Sequence, residues 1–393
     1  MPTPLPMIAE PAAQAPRNLQ TPDLAGLTLP EVRAWAAERG LPPFRASQIH
    51  TGIYRQLAAS PIELTNLPLA LREELAGAAG FGRLQVVNEV QDTPSRTSKV
   101  LFALHDGALV ESVLMGYQPR EARRRNTICL SSQVGCALGC TFCATGTMGW
   151  ARNLTTAEMV AQVLHFARRL REREEHVTNV VYMGMGEPFL NYDAVLGSIR
   201  VLTEAEGFNL GARHITVSTS GVVPGILRFA GEGLQVGLAV SLHAANDDVR
   251  SRLVPLNRRY PVAELLRACH RYVERTSRRI SFEYTMLDGV NDRPVQAREL
   301  ATLLRGLLCH VNLIPWNHVA DMPYRPSSPE VIERFRDELA VYGVPVTIRD
   351  TRGFRITAAC GQLRTETIRA RRSSARTAGP SSGSAPRPAS CSM

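Results

Sequence analysis

The N-terminal part of the chain changes from a helical to a strand-like spacing of its apolar residues. Between Thr28 and Gly80 the apolar positions recur at helical spacing, which predicts a small helical module. Between Leu84 and Met115 apolar and polar residues alternate instead, and the dipeptide Asp106-Gly107 interrupts the alternation as a hairpin turn would. This part of the chain is therefore predicted to form two antiparallel strands.

The central part of the chain alternates short apolar runs with longer segments of helical spacing. This alternation is typical of parallel β-α units rather than of a sandwich. The predicted parallel strands lie at 127–130, 179–182, 215–218, 236–241, 280–285 and 311–314. Thr155 and Glu158 have the spacing of a capping box, so a helix begins there, after the first strand. We predict an α/β fold: a partial (β/α)6 barrel with an N-terminal helical accessory domain and a short β-hairpin extension. Its ligands should bind at the carboxyl edge of the sheet.

The two ends of the chain have a composition that cannot form a core. The first residues mix Pro, Ala and Gln without periodicity, and the last are rich in Ser, Pro, Ala and Arg, so both ends are predicted to be disordered. The predicted organisation is a tail over 1–20, a helical accessory domain over 21–83, a β extension with a basic loop over 84–126, an α/β core over 127–366, and a basic tail over 367–393.

Composition limits the class of protein without identifying it. The 393 residues are 44% hydrophobic and 21% charged, as in an ordinary globular protein, and a formal net charge of +9 favours a polyanionic partner. RNA, DNA and acidic membranes all satisfy that charge. The sequence shows neither an apolar run of about 20 residues nor a signal-like start, which predicts a cytoplasmic protein with no membrane association. The arginines at 120 and 123–125 are predicted to form a basic loop. Such a loop is either ordinary solvated surface or a binding site for phosphate groups.

Three cysteines with the spacing Cys-x3-Cys-x2-Cys are the strongest chemical signal in the chain. They are Cys136, Cys140 and Cys143. Thiolates hold iron-sulfur clusters, and three local cysteines leave one iron of a four-iron cluster open to another ligand. Structural zinc needs four ligands and no second cysteine or histidine pair follows, while a disulfide is disfavoured in a reducing compartment. The interpretation that fits best is a [4Fe-4S] cluster with one open coordination site.

Several motifs around these cysteines resemble one enzyme family. The spacing is that of the radical S-adenosylmethionine (SAM) enzymes. The stretches 129–136, 143–146, 152–155 and 358–363 resemble the RlmN/Cfr class of radical SAM RNA methyltransferases, most closely RlmN. The segment Phe44-Arg45-Ala46 resembles the accessory domain with which this family contacts RNA, although such a module could also be a packing appendage. The resemblance implies a [4Fe-4S] cluster and SAM as cofactors, with SAM bound to the open iron and cleaved to a 5'-deoxyadenosyl radical.

The same resemblance implies a set of SAM contacts. Gly186 and Glu187 match the glycine-rich motif that binds the SAM amino group, and polar residues at later strand ends match contacts to the rest of SAM. These further positions are Ser218, Ser241, Leu242, His243 and Asn317. Each has a plainer explanation, because a glycine-rich turn can simply reverse the chain, a serine can cap a helix and a histidine can lie in a core.

A second pair of cysteines distinguishes the RlmN/Cfr class from other radical SAM enzymes. The resemblance implies that a first SAM methylates Cys360, that the radical from a second SAM activates this methyl group for addition to adenine, and that Cys129 then forms a transient disulfide with Cys360 to release the product. Glu111 matches the acceptor of the adenine proton. Cys129 could instead be a fourth metal ligand. The segment Gly353-Phe354-Arg355 lacks the acidic residues usual in the family before the carrier cysteine.

The expected function is therefore methylation of adenine carbon 2 in RNA. The resemblance implies an adenosine of 23S rRNA in the peptidyl transferase centre, and the adenosine next to the anticodon in tRNA, as substrates. It also implies two SAM molecules per turnover, an electron donor such as flavodoxin or ferredoxin, and a monomer. The alternatives are a Cfr-type carbon-8 methyltransferase and, in another class, a non-catalytic iron-sulfur protein that binds RNA.

Overall fold

The N-terminal helices form where capping residues and apolar stripes coincide. The computed structural model describes residues 22–117, 124–319, 322–350, 356 and 362–363. The first helices are α1 (Leu29–Ala37), α2 (Pro43–Tyr54) and α3 (Leu69–Ala78). A capping box of Thr28 and Glu31 begins α1, with the carboxylate of Glu31 2.7 Å from the Thr28 backbone nitrogen. Val32 on α1 and Ile49 on α2 are fully buried, so these helices share a core.

The main sheet has ten strands and joins an antiparallel extension to a parallel barrel. The strands of the chain are β1 (Gln85–Asp92), β2 (Thr97–Ala103), β3 (Leu109–Tyr117), β4 (Arg125–Cys129), β5 (Gln133–Gly135), β6 (Trp150–Asn153), β7 (Asn179–Tyr182), β8 (Ile215–Thr219), β9 (Gly237–Ser241), β10 (Ile280–Met286), β11 (Cys309–Pro315) and β12 (Val346–Ile348). Their order in the main sheet is β1-β2-β3-β4-β7-β8-β9-β10-β11-β12. Within the main sheet, β1 to β4 pair antiparallel, while β4 and β7 to β12 pair parallel.

The predicted α/β fold is confirmed, and the six predicted parallel strands correspond to β4 and β7 through β11. The prediction for the extension was incomplete, because three antiparallel strands precede β4 rather than two. Most residues of β1 are exposed on both faces at the edge of the sheet, so the strand lacks the alternation that marks a half-buried strand. The short strand β12 was missed for a similar reason, since none of its three residues is fully buried.

Helices cover the outer face of the parallel strands. They are α4 (Thr156–Arg171), α5 (Tyr192–Thr203), α6 (Val223–Phe229), α7 (Asp247–Leu253), α8 (Val262–Thr276), α9 (Pro294–Leu303) and α10 (Pro329–Val341). The predicted capping box at Thr155 and Glu158 begins α4, and this helix lies on β3 and β4 through Gln162, which hydrogen-bonds to Ser112 and Ser131. Ser112 points to the outer face of the sheet, because it hydrogen-bonds to Gln162 of the covering helix α4. Side chains alternate along a strand, so the residues next to Ser112 on β3 face the interior of the barrel.

A half-buried arginine joins the N-terminal helices to the barrel. Arg168 on α4 donates hydrogen bonds to the carbonyl oxygens of Leu57, Ala58, Phe81 and Gly82, each at 3.0 Å. All described residues belong to one compact unit that ends at Leu363. In the part of the chain that the structure describes, no helix is both long and apolar enough to cross a membrane.

Candidate active site

The three clustered cysteines lie on a loop held between two short strands. β5 and β6 pair as a separate hairpin, and the loop between them follows β4 at the carboxyl edge of the parallel sheet. The backbone nitrogen of Cys136 donates to the carbonyl oxygen of Gly149 at 2.9 Å, and that of Cys143 donates to Cys140 at 3.2 Å. These bonds fold the loop back on itself, so that all three thiols line the same cavity.

Burial keeps these cysteines protonated when no cation is near them. Burial raises the pKa of Cys140 to about 12, and it raises the pKa of Cys136 and Cys143 as well. Iron would reverse this effect, because a metal cation stabilises the thiolate and releases its proton. No group of three or more His, Cys, Asp or Glu side chains among the described residues is arranged to hold a single metal ion. A cubane cluster has a different requirement, since each thiolate binds a different iron. Three thiols around one cavity fit that requirement.

The cavity beside the cysteines encloses about 930 Å³, part of it open to solvent. Five of the predicted SAM contacts line it, namely Gly186, Glu187, Ser218, Ser241 and His243. Leu242 and Asn317 are not among its described lining residues. Leu242 is fully buried, and the Asn317 amide donates to the carbonyl oxygen of Pro315 at 3.4 Å. The structure thus brings the cysteines and most of the predicted contacts to one space at the carboxyl edge of the sheet.

Glu187 holds three segments of the cavity wall together. Its backbone nitrogen donates to the Gln133 side chain at 2.8 Å, and its carboxylate accepts from the backbone nitrogens of Ser220 at 2.8 Å and Phe189 at 3.1 Å. The preceding Gly186 has a φ of +104°, and a Cβ there would lie 2.6 Å from the Cβ of Gln133. Burial raises the pKa of the Glu187 carboxyl. A bound ammonium group would oppose this effect, because a nearby positive charge favours the carboxylate.

His243 is a neutral hydrogen-bond acceptor in the wall of the cavity. Its Nδ1 accepts from the backbone nitrogen of Thr285 at 3.0 Å, and burial lowers its pKa to about 3. Its ring meets Phe142 edge-on at 4.7 Å, and the indole nitrogen of Trp316 donates to the carbonyl oxygen of Phe142 at 3.1 Å. His243 therefore connects the cysteine loop to β10, and an aromatic surface stands beside the cysteines.

A polar row inside the barrel was not predicted. Ser241, Glu283, Asn312 and Thr347 occupy paired positions on four adjacent strands, so they share one face. The Asn312 amide donates to Glu283 at 2.8 Å, and Glu283 lines the cavity while burial raises its pKa. The signal that could have found Glu283 is that it is the one charged residue in its strand.

The two residues proposed for proton transfer and resolution lie on one face of the sheet. Cys129 on β4 pairs with Val113 on β3, and Glu111 lies two positions before Val113, so both side chains face the barrel interior. The amino group of Lys99 is 3.3 Å from the Glu111 carboxylate. The Ser131 hydroxyl donates to the carbonyl oxygen of Glu111 at 2.6 Å and accepts from the backbone nitrogen of Met185 at 2.8 Å. This joins the Glu111 strand to the glycine-rich turn.

The predicted methyl carrier, Cys360, lies outside the described residues, as do Gly353, Phe354 and Arg355. Of the residues that follow it, Leu363 binds the cysteine loop, and Gln362 binds the segment after β11. Thr145 of the cysteine loop donates to the carbonyl oxygen of Leu363 at 3.0 Å, and the Gln362 amide donates to the carbonyl oxygen of His318 at 2.9 Å. No disulfide joins any two of the described cysteines.

Gly135→Ala should prevent the cysteine loop from loading iron. A Cβ at Gly135 would lie 1.9 Å from the carbonyl oxygen of Gly149, which accepts the hydrogen bond of Cys136. Gly139→Ala is the matched control, because Gly139 also has a positive φ but has no atom within 4 Å of its Cβ position. The control should lose only about 1 kcal/mol of stability from backbone strain. Iron per chain after anaerobic reconstitution checks the prediction, and equal loading of both variants would contradict it.

Comparison with known proteins shows which class of enzyme the chain belongs to. A model of the radical SAM superfamily matches residues 130–301, and a model described as ribosomal RNA large subunit methyltransferase N-terminal domain matches residues 22–80. The crystal structure of a radical SAM methyltransferase from Sphaerobacter thermophilus is similar, with a TM-score of 0.84, 55% identity, and coverage of 87% of this chain and 99% of that chain. The fold and the site are those of a radical SAM enzyme, whose cofactors are SAM and a [4Fe-4S] cluster.

Curated relatives narrow this class to one family. A protein of Geobacillus thermodenitrificans named probable dual-specificity RNA methyltransferase RlmN is 45% identical over 346 residues, which cover 88% of this chain and 93% of that protein. A protein of the same name from Heliobacterium modesticaldum is 49% identical over 347 residues, covering 88% and 90%. The chain belongs to the RlmN family of radical SAM RNA methyltransferases. It is thus a SAM-dependent RNA methyltransferase, and the family resemblance inferred from its motifs is confirmed.

Proposed function

We propose that the enzyme methylates carbon 2 of an adenosine in the peptidyl transferase centre of 23S rRNA and of the adenosine next to the anticodon in tRNA. The observation that carries the proposal is the hydrogen bond from Thr145, on the loop of the three clustered cysteines, to Leu363, three residues after the carrier Cys360. A methyl carrier on the C-terminal segment has to reach SAM, and the attachment of Leu363 to the cysteine loop supports that requirement.

The residues around the cavity have distinct proposed roles in holding the cofactors. Cys136, Cys140 and Cys143 each bind one iron. Gly186 and Glu187 receive the SAM amino group, and Ser218, Ser241, Leu242, His243 and Asn317 receive the rest of SAM. When bound, the cluster and SAM supply a radical that can remove hydrogen from a methyl group. The neutral imidazole of His243 and the serine hydroxyls offer acceptors and donors of the kind that a ribose and an adenine require.

Cys360, Cys129 and Glu111 are proposed to carry out the transfer to RNA. Carbon 2 of adenine is electrophilic and does not attack SAM directly, so a sulfur atom of the protein first carries the methyl group, which uses one SAM, and a second SAM provides the radical. After the carbon-carbon bond forms, the radical adduct gives up one electron to an oxidised flavodoxin or ferredoxin, and Glu111 takes the proton from carbon 2. The Cys129 thiolate then attacks the Cys360 sulfur, so that a disulfide forms while the bond between Cys360 and the new methyl carbon breaks, and that carbon takes up a proton. A thiol reductant then reduces the disulfide and restores both cysteines. The shared interior face of Cys129 and Glu111 supports this division of roles.

The names of the relatives support the substrate. The relatives are named dual-specificity RNA methyltransferases, and the N-terminal model is named for the ribosomal RNA of the large subunit. The formal net charge of +9 suits a nucleic-acid substrate. We further propose that the enzyme works in the cytoplasm as a monomer and receives electrons from a flavodoxin or ferredoxin.

Product analysis tests the position of methylation. Unmethylated 23S rRNA and tRNA incubated anaerobically with loaded enzyme, SAM and reductant should yield 2-methyladenosine in nucleoside mass spectrometry, at least tenfold above a Cys360→Ala control. Exclusive 8-methyladenosine would instead establish the Cfr-type reaction. A protein that binds RNA but produces neither methyladenosine nor 5'-deoxyadenosine would be a non-catalytic iron-sulfur protein.

A further inference from the structure

One fully buried charge beside the cavity has no part in the function proposed above. Arg250, on α7, is 0% exposed. Its guanidinium donates to the carbonyl oxygens of Leu242 at 3.0 Å, Ser220 at 2.7 Å and Ser241 at 3.2 Å, and to the Asn257 side chain at 2.8 Å. None of these acceptors is a carboxylate; the Asp247 carboxylate is linked to the guanidinium through Asn257, whose amide donates to it at 2.8 Å. Burying a cation among neutral acceptors costs folding free energy, because the charge loses its hydration. A function of Arg250 would explain why it is buried there.

The acceptors of Arg250 lie where two strands end at the cavity. Ser241 and Leu242 come at the end of β9, and Ser220 follows β8 directly. Ser220 also donates its backbone nitrogen to the Glu187 carboxylate at 2.8 Å. The Arg250 guanidinium therefore holds the ends of β8 and β9 in place. Through Ser220 and Glu187 it is also connected to the turn that follows β7.

The helix that carries Arg250 is also attached to the cysteine loop. The backbone nitrogen of Thr141, directly after Cys140, donates to the carbonyl oxygen of Leu253 on α7 at 3.0 Å, and the Thr141 hydroxyl donates to that of Arg252 at 3.2 Å. Ser220 and Cys140 also line the same cavity. Arg250 thus lies on a helix that is hydrogen-bonded to the residue after Cys140, and its guanidinium binds Ser220 in the wall of the cavity that Cys140 lines.

We propose that Arg250 is a positioning residue of the cofactor site, which aligns the ends of β8 and β9 for SAM and places a fixed positive charge behind Cys140. A cluster held by three thiolates is negatively charged, and reduction adds an electron. A buried cation nearby therefore favours the reduced state and raises the reduction potential. This inference rests on the proposed ligation of the cluster by Cys140.

Two substitutions separate the two roles of Arg250. Arg250→Lys keeps the charge but cannot reach all four acceptors, so the dissociation constant for SAM should rise about tenfold while the cluster potential stays near that of the parent. Arg250→Gln removes the charge as well, so the midpoint potential in an EPR-monitored titration without SAM should become more negative. Asn257→Asp, which places a carboxylate on the Arg250 hydrogen bond, should shift the potential in the same direction if the Gln variant does not load.

Arg168 provides the matched control. Like Arg250 it donates to four acceptors, but all four are backbone carbonyl oxygens of the N-terminal module. Arg168→Lys and Arg168→Gln should change neither the potential nor SAM affinity. An unchanged potential in Arg250→Gln and Asn257→Asp would overturn the electrostatic role, and unchanged SAM affinity in Arg250→Lys would overturn the positioning role. Full iron loading by Cys140→Ala would instead show that the proposed ligation is wrong.

Discussion

Alanine at any one of Cys136, Cys140 or Cys143 should abolish SAM cleavage. The parent protein should bind about four irons per chain after anaerobic reconstitution, and each variant should bind fewer because a cluster with two thiolate ligands loses iron. Production of 5'-deoxyadenosine should fall by a factor of about 10³ or more, since SAM is cleaved only by an electron from the cluster. Iron analysis and chromatography of the nucleoside product measure the two effects separately.

Cys309→Ala is the control for this series. Cys309 lies on β11 and is buried as Cys136 and Cys140 are, so the substitution removes a similar volume from the interior. It should cost about 1 kcal/mol of stability and leave iron content and SAM cleavage intact. Retention of full cleavage by all three single variants of the clustered cysteines would show that they are not the ligands of a catalytic cluster.

The parallel core was predictable because each element of it carries a local signal. The strand β7, for example, was predicted with its observed bounds, and the capping box at Thr155 and Glu158 begins α4 as expected. Apolar runs, helix caps and turn residues act over a few positions, so they can be recognised without knowledge of the fold. The edge strand β1 has no buried face, and its pairing with β2 becomes visible only in the assembled sheet.

The cavity was predictable in part for a different reason. Polar residues at the ends of consecutive parallel strands must meet at one edge of the sheet, which is why Ser218, Ser241 and His243 line the same space as the cysteines. Arg250 and Lys99 could not be found in this way. Each is a charged residue in a polar stretch of sequence, and only the packing of the surrounding elements shows that both are buried beside functional groups.

The two cysteines proposed for methyl transfer should fail differently when each is replaced. If Cys360 carries the methyl group and Cys129 only resolves the adduct, Cys129→Ala should still attach its methylated sulfur to RNA and then stall. Cys360→Ala has no acceptor sulfur and should form no adduct. Both variants should load iron like the parent, since neither cysteine is a proposed cluster ligand. A denaturing gel should therefore show a slow, nuclease-sensitive band for Cys129→Ala alone.

Released product provides the second measurement of this division of roles. Without Cys129 no disulfide can form to break the bond between Cys360 and the new methyl group, so released methyladenosine should fall about 100-fold or more in both variants. Cys309→Ala should form product and no trapped band. A Cys129→Ala variant that loads less iron than the parent would favour a ligand role for Cys129. Normal RNA methylation by both variants would show that neither sulfur takes part, because a carrier mechanism requires one to hold the methyl group and the other to release it.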